Sequence, residues 1–321
     1  MKRSSRIYIA GHRGLVGSAV LRKFQAEGYE NLITRTRAEL ELTSQPAVDS
    51  FFNEERPEVV IMAAAKVGGI LANSTCPADF IRENLQVQTN IIEAAYRSGV
   101  KRLLFLGSSC IYPKQAPQPM KEEYLLSGPL EPTNDAYAVA KIAGIKMCQA
   151  YRAQYGFETI SLMPTNLYGP GDNFDLDSSH VLPALLRKFH EAKEQGDAHV
   201  IVWGTGMPRR EFLHVDDMAS ACLLVLAAPE EDLLSIAPDG MLNVGAGQDV
   251  EIKELARIIG EVIGWEGELQ FDTSKPDGTP RKLLDITRIM KLGWKPEVPL
   301  REGIRATYEW MLQNLPETIS V

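Results

Sequence analysis

Three glycines near the N-terminus constrain this chain more than any other feature. Gly11, Gly14 and Gly17 follow directly on the apolar run at residues 6–10. They open residues 15–25, where Val16, Val20 and Phe24 recur at helical spacing. A strand that turns through glycines into a helix lets backbone approach an anion closely and aims the helix N-terminus at it. A glycine triplet alone says little. At the first strand–helix junction of an alternating chain it predicts a loop that cradles a dinucleotide pyrophosphate.

The alternation continues. Residues 32–34, 59–65, 103–107 and 159–163 read as strands, and residues 84–97 and 136–151 as helices. Strands separated by helices pair in parallel through right-handed crossovers, so the expected fold is α/β, a doubly wound parallel sheet. After Pro164 the texture changes. Residues 166–179 are rich in Gly, Pro, Asp and Asn, a long connection of the kind that usually carries function. Helices are expected at 181–190, 216–226, 253–264 and 300–311, with a strand at 200–203. The expected division is a nucleotide-binding domain of residues 1–170 plus about 211–247. A smaller mixed α/β substrate-binding domain takes about 171–210 and 248–321.

Composition narrows the function. The 321 residues are 45% hydrophobic and 24% charged, ordinary for a globular protein. The net charge of −8 argues against nucleic acid and anionic membranes as partners. The longest apolar run, residues 221–228, falls far short of the ~18 residues a membrane span needs. The apolar stretch behind the basic N-terminus is too short for a secretory signal. Cys76, Cys110, Cys148 and Cys222 are scattered, with no C-x-x-C pair, so no metal site or disulfide framework is expected. Such thiols fit a reducing, cytoplasmic setting.

Which dinucleotide binds is set where the second strand ends. An NAD site usually places an acidic residue there for the ribose 2′-hydroxyl. This chain has Thr34-Arg35-Thr36-Arg37 instead, and Arg13 inside the glycine loop. Guanidinium groups match a 2′-phosphate, so NADP(H) is expected, clamped by Arg13 and Arg37.

Tyr137 and Lys141 stand at i and i+4 on the expected helix 136–151 and so share a face. An ammonium near a phenol is expected to lower its pKa, making it a usable proton donor to a carbonyl under reduction. Ser108 and Ser109 follow the strand 103–107 at its C-terminal end, where ligands bind in such sheets. Adjacent strand residues point oppositely, so only one serine is expected to face the substrate. The other is left for the cofactor.

With these residues in view, the sequence resembles the extended short-chain dehydrogenase/reductase (Rossmann) family. GHRGLVG (11–17), LGSS (106–109), Tyr137/Lys141 and PTNLYGP (164–170) stand in the family's order. AAAKVGGI (63–70), EPTNDAYAVAKIAG (131–144), REFLHVDDMA (210–219) and KPDGTPRKLLD (275–285) look more narrowly like the GDP-L-fucose synthase family. The resemblance implies an NADPH-dependent enzyme that epimerises C3 and C5 of GDP-4-keto-6-deoxy-mannose and then reduces C4. It implies Ser108, Tyr137 and Lys141 as the reductive set, Cys110 as base and His180 as acid for the epimerisations. A 4-keto group acidifies the protons on C3 and C5, and inversion needs a base on one face and an acid on the other. If residues 108–110 are extended, Ser108 and Cys110 project to the same side.

Cofactor contacts are implied for Gly11, His12, Arg13, Gly14, Leu15, Val16, Gly17, Arg37, Leu106, Gly107, Ser109, Lys141, Pro164, Thr165, Asn166, Leu167 and His180. Substrate contacts are implied for Lys188, Trp203, Arg210 and Asp277, with Arg187, Arg281 and Lys66 as further candidates. His214 is expected to make structural hydrogen bonds. A homodimer through the helix bearing Tyr137 is expected by analogy. Two other readings remain: a different nucleotide-sugar epimerase or reductase, which would favour an acid after the second strand, and a non-catalytic NADP-binding sensor, which would lack the Tyr–Lys pair.

Overall fold

A computed structural model of the protein describes residues 1–314 apart from residues 177 and 276. The last seven positions of the expected substrate domain, residues 315–321, therefore lie outside the described residues. The first half alternates as β1 (Ile7–Ala10), α1 (Leu15–Ala26), β2 (Leu32–Ile33), α2 (Gln45–Glu55), β3 (Val59–Met62), α3 (Ile70–Thr75), α4 (Pro77–Arg97), β4 (Arg102–Leu106), α5 (Asp135–Tyr155) and β5 (Glu158–Pro164). Then come β6 (Asn166–Tyr168), α6 (Val181–Gln195), β7 (His199–Trp203), β8 (Arg209–His214), α7 (Val215–Ala227), α8 (Glu230–Ile236) and β9 (Met241–Val244). The chain closes with β10 (Asp249–Glu251), α9 (Ile252–Ile263), β11 (Glu268–Asp272), β12 (Arg281–Lys282), α10 (Thr287–Lys291) and α11 (Leu300–Asn314).

Six strands form one sheet in the order β2-β1-β3-β4-β5-β9, every neighbouring pair parallel. β1 and β3 are buried at every position, as strands covered by helices on both faces must be. The order reverses between β1 and β3, which opens a crevice at their C-terminal ends. β3 stops at Met62 rather than running to residue 65, because the chain leaves the sheet there to pass over Gly11. α4 begins seven residues earlier than apolar periodicity suggests. Pro77 fixes the first helical turn, and polar Asn84 and Gln88 interrupt the buried face between Phe80 and Ile91, which hides the pattern. α4 and α5 pack closely: a Cβ on Gly144 would meet the Phe105 ring at 2.4 Å, and Gln88 donates to the Ala140 carbonyl at 2.7 Å.

Around β8 a second sheet forms. β10 pairs with it antiparallel, β12 and β6 pair with it in parallel, and β7 pairs separately with β11. The apolar interior divides in two. The larger core surrounds the six-stranded sheet. The smaller one gathers Tyr168, Phe174, Leu182, Leu186, Phe189, Leu255, Ile259 and Ile304 between α6, α9 and α11. The expected division is too simple at one place. Leu284, Ile286, Ile289 and Trp294 pack into the larger core, so the chain around α10 returns to the first body. Glu211 ties the parts together: its buried carboxylate accepts from the backbone N–H of Gly247 at 2.7 Å and of Leu284 at 3.0 Å. Burial pushes that carboxyl up to about 7.

Candidate active site

The glycine loop separates into two jobs. Gly11 has a φ of +82°, and a Cβ there would lie 2.7 Å from the Ala64 nitrogen. A Cβ on Gly17 would lie 2.1 Å from the Gly11 carbonyl oxygen. Both glycines are demanded by the fold. Gly14 is not: a Cβ there would meet nothing nearer than 3.5 Å, an ordinary contact. The space it leaves lies at the N-cap of α1, which no side chain caps and no acidic residue flanks. His12 beside it keeps a buried Nδ1 without a partner. An uncapped helix N-terminus, an open glycine and an orphaned ring nitrogen fit a bound pyrophosphate.

At the end of β2 the cations are unevenly engaged. Arg35 is taken up by Glu55 and lies over the Phe51 ring. Arg37 is exposed and leans on Glu41 at 2.8 Å, which leaves it short of a dedicated clamp. Arg13 is exposed on the glycine loop and forms no ion pair among the described residues. Glu39 does not replace the missing acid, since its carboxylate accepts from the Thr36 N–H at 2.7 Å and closes the turn. This edge therefore suits a 2′-phosphate better than a free ribose hydroxyl.

Ser108 stands just past β4, with Leu106 and Gly107 ahead of it. The segment is not extended as expected. Residues Ser109–Ile111 form a 3₁₀ turn, and the Ser108 hydroxyl accepts from the Cys110 N–H at 3.2 Å. Ser108 and Cys110 are thus brought together by a turn rather than by strand alternation. Ser109 is buried, while Ser108 and Cys110 stay partly accessible. Tyr137 on α5 lies beside both: the Ser108 hydroxyl favours its phenolate and charge on Cys110 opposes it. Burial outweighs these and pushes the phenol well above its ordinary value, opposite to the expected lowering by Lys141. The Lys141 Nζ lies 5.8 Å from the Tyr137 ring centre and donates to the Leu106 carbonyl at 2.8 Å. Burial pulls Lys141 down to about 8.

His180 is the N-cap of α6 and spends no side-chain bond on capping. Desolvation lowers the pKa of its imidazole. The loop before it rests on the segment after β3: Gly69 N–H donates to the Ser178 carbonyl at 3.0 Å, and a Cβ on Gly69 would lie 2.7 Å from the Ser179 carbonyl oxygen. Phe80, packed edge-on against Tyr137 at 6.5 Å, supports the same wall. Lys66 is engaged by Glu83 at 2.8 Å. Pro164 ends β5; past it, Thr165 and Asn166 both donate to the Glu211 carbonyl, which fixes the backbone leading to Leu167. His214 is buried, accepts from the Asp216 N–H at 3.3 Å and packs against Tyr168, the structural role expected of it.

On the other side of the crevice, Trp203 at the end of β7 is 57% exposed, so it is not core. Lys188 on α6 lies 5.2 Å from its ring centre, and burial lowers the pKa of that amine. Arg210 on β8 is half-buried, and desolvation lowers the pKa of its guanidinium although Asp277, Cys110 and Glu131 favour its charge. Asp277 holds a loop: its oxygens accept from Thr205, the backbone N–H at 2.7 Å and the hydroxyl at 2.8 Å, and each keeps a further lone pair. Arg187 and Arg281 are engaged by Glu191 and Asp249. Sequence reading missed Glu131, paired to Lys114 at 2.9 Å near Arg210, and Lys275, whose Nζ lies 5.3 Å from the Trp203 ring centre. Neither position carries a local signal; only the fold brings them in. Among the described residues no cluster could hold a metal ion, and no helix is long and apolar enough to cross a membrane.

Comparison with known proteins adds to this geometry. A family model described as the NAD dependent epimerase/dehydratase family matches residues 7–245. GDP-L-fucose synthase 1 of Arabidopsis thaliana is 60% identical over 98% of this chain and 95% of its own. GDP-L-fucose synthase of Escherichia coli K12 is 56% identical over 96% of this chain and 97% of its own. A crystal structure of a GDP-L-fucose synthetase from Naegleria fowleri bound to NADP superposes with a TM-score of 0.87 at 27% identity, covering 98% of this chain and 96% of that one.

Proposed function

This chain belongs to the NAD dependent epimerase/dehydratase family, and from that premise we propose that it is a GDP-L-fucose synthase. It converts GDP-4-keto-6-deoxy-D-mannose to GDP-L-fucose, inverting C3 and C5 and reducing C4 with NADPH. NADPH supplies the hydride that C4 receives. Gly11–Gly17 at the head of α1 would hold its pyrophosphate, and Arg13 with Arg37 would meet the 2′-phosphate. Leu106, Gly107, Ser109, residues 164–167, Lys141 and His180 would hold the rest of the cofactor.

The chain's own groups move the protons. The Cys110 sulfur takes a proton from the carbon next to the ketone, and His180 returns one to the opposite face. Exchange with solvent resets both before the second centre inverts. Ser108 holds the C4 oxygen. Burial keeps the Tyr137 phenol protonated until charge builds on that oxygen, when the proton passes across and the adjacent Lys141 ammonium stabilises what remains. Lys188, Trp203 and Arg210 hold the nucleotide end. The observation that carries this reading is the placement of Cys110 by a tight turn against Ser108 and Tyr137, which supports a sulfur that moves protons beside the reductive pair. By family analogy the enzyme would work in the cytoplasm as a homodimer paired through the α5 face; light scattering tests the oligomeric state.

The test of the activity is NADPH oxidation with GDP-4-keto-6-deoxy-mannose in deuterated water, with NMR of the product. Deuterium at C3 and C5 of a fucose-configured product is expected. Oxidation without that deuterium would make the enzyme a plain 4-reductase. Tyr137→Phe is expected to cut reduction by about a hundredfold or more while leaving solvent exchange at C3 and C5 in place.

A further inference from the structure

Trp203 carries two ammonium groups. Lys188 Nζ and Lys275 Nζ lie 5.2 Å and 5.3 Å from its ring centre. Lys188 reaches only the Ile201 carbonyl at 3.3 Å, and neither lysine forms an ion pair among the described residues. One cation over an indole is favourable, and two on one ring gather positive charge there. Asp272, at the end of β11, is an acid whose charge acts on Lys275, but it forms no ion pair with it among the described residues. An anion brought against this pair would be attracted by both ammonium groups.

The loop that carries Lys275 is held firmly. Asp277 grips Thr205 through both oxygens, and the absence of a Cβ on Gly204 makes room for it, since one would lie 2.3 Å from Asp277 Oδ1. Lys275 N–H donates to the Asp272 carbonyl at 3.2 Å. A Cβ on Gly278, in the same loop, would lie 3.5 Å from the Arg210 guanidinium. One short loop thus spans from the Trp203 ring to Arg210.

We propose that Lys275 is a further substrate-binding residue, closing with Lys188 and Arg210 on the diphosphate of the nucleotide sugar, and that Asp277 is the positioning residue that holds it there. This rests on the function proposed above. Burial strips part of the water from the Lys188 ammonium and lowers its pKa, and a diphosphate beside it would favour the charged form again.

Calorimetric titration of the full-length protein with GDP, GMP and guanosine tests the assignment. Lys275→Ala is expected to weaken GDP by about tenfold, GMP by much less, and guanosine and NADPH not at all. Lys275→Arg should recover most of the GDP affinity. Asp277→Ala should raise KM for the nucleotide sugar with kcat preserved, and should add little to Lys275→Ala, because both act through one contact. Unchanged GDP affinity in Lys275→Ala, or an equal loss for guanosine, overturns the inference and leaves the activity standing. A wild-type protein that binds NADPH but not GDP overturns both.

Discussion

At the residue scale the site is governed by burial more than by pairwise charge. Tyr137 and Lys141 were legible in the sequence because their spacing on a helix is a local matter. Their ionisation was not, since it depends on how much protein closes over them. Lys141, pulled down to about 8, is the group that titrates within reach of assay. In the proposed mechanism its ammonium is the active form, so kcat/KM for reduction is expected to fall as pH rises through about 8, reaching roughly a tenth of its plateau one pH unit higher. Lys141→Arg should lower the plateau and remove that limb, because a guanidinium stays charged. A limb at the same pH in the variant would assign the titration to another group. Lys275 and Glu131 could not be read from sequence at all, since their partners lie on β7 and β8, far away along the chain.

At the element scale, the long amphipathic helices and the first five strands of the central sheet announced themselves, whereas β6 and β8 to β12 did not. β6, β10 and β12, of two or three residues, have no room to show a period, and each takes the edge that β8 offers. The glycine loop shows how differently alike residues work within one element. Gly14→Ala is expected to leave the melting temperature within a few degrees and to weaken NADPH at least tenfold, because the methyl group meets ligand rather than protein. Gly17→Ala drives a methyl group into the Gly11 carbonyl and should cost on the order of 3 kcal/mol of stability. Thermal melting and NADPH fluorescence titration separate the two, and equal melting temperatures would refute the distinction.

At the scale of the whole molecule, two cores are joined by strands whose buried polar groups do the tying. The existence of a second lobe was legible from the change of texture after Pro164; the return of residues 284–294 to the first core was not, because their apolar pattern says only that they are buried, not where. Glu122 is a buried polar group within the first core: its carboxylate accepts from the Asn243 N–H on β9 at 2.8 Å, beside Arg288. Burial raises it from 4.5 to about 7. The folded state then holds more protons than the unfolded chain between those values, so this group's contribution to stability falls as pH rises from about 4.5 to about 7. Glu122→Gln keeps the acceptor and removes the titration. Its stability relative to wild type should climb across that window by at most about 1.4 kcal/mol per pH unit. Parallel denaturant curves at pH 5, 6 and 7 would show otherwise.

Helix α6 begins at His180 and carries Lys188 eight residues on. At the rise of an α-helix these positions are separated by about 12 Å along one stiff axis. On the function proposed above, the anchor for the anionic end of the substrate and the acid for its sugar ring are graduations on a single ruler. A sugar joined to its base through one phosphate or three would reach the same anchor with its ring at the wrong mark, and length itself becomes a criterion of selection.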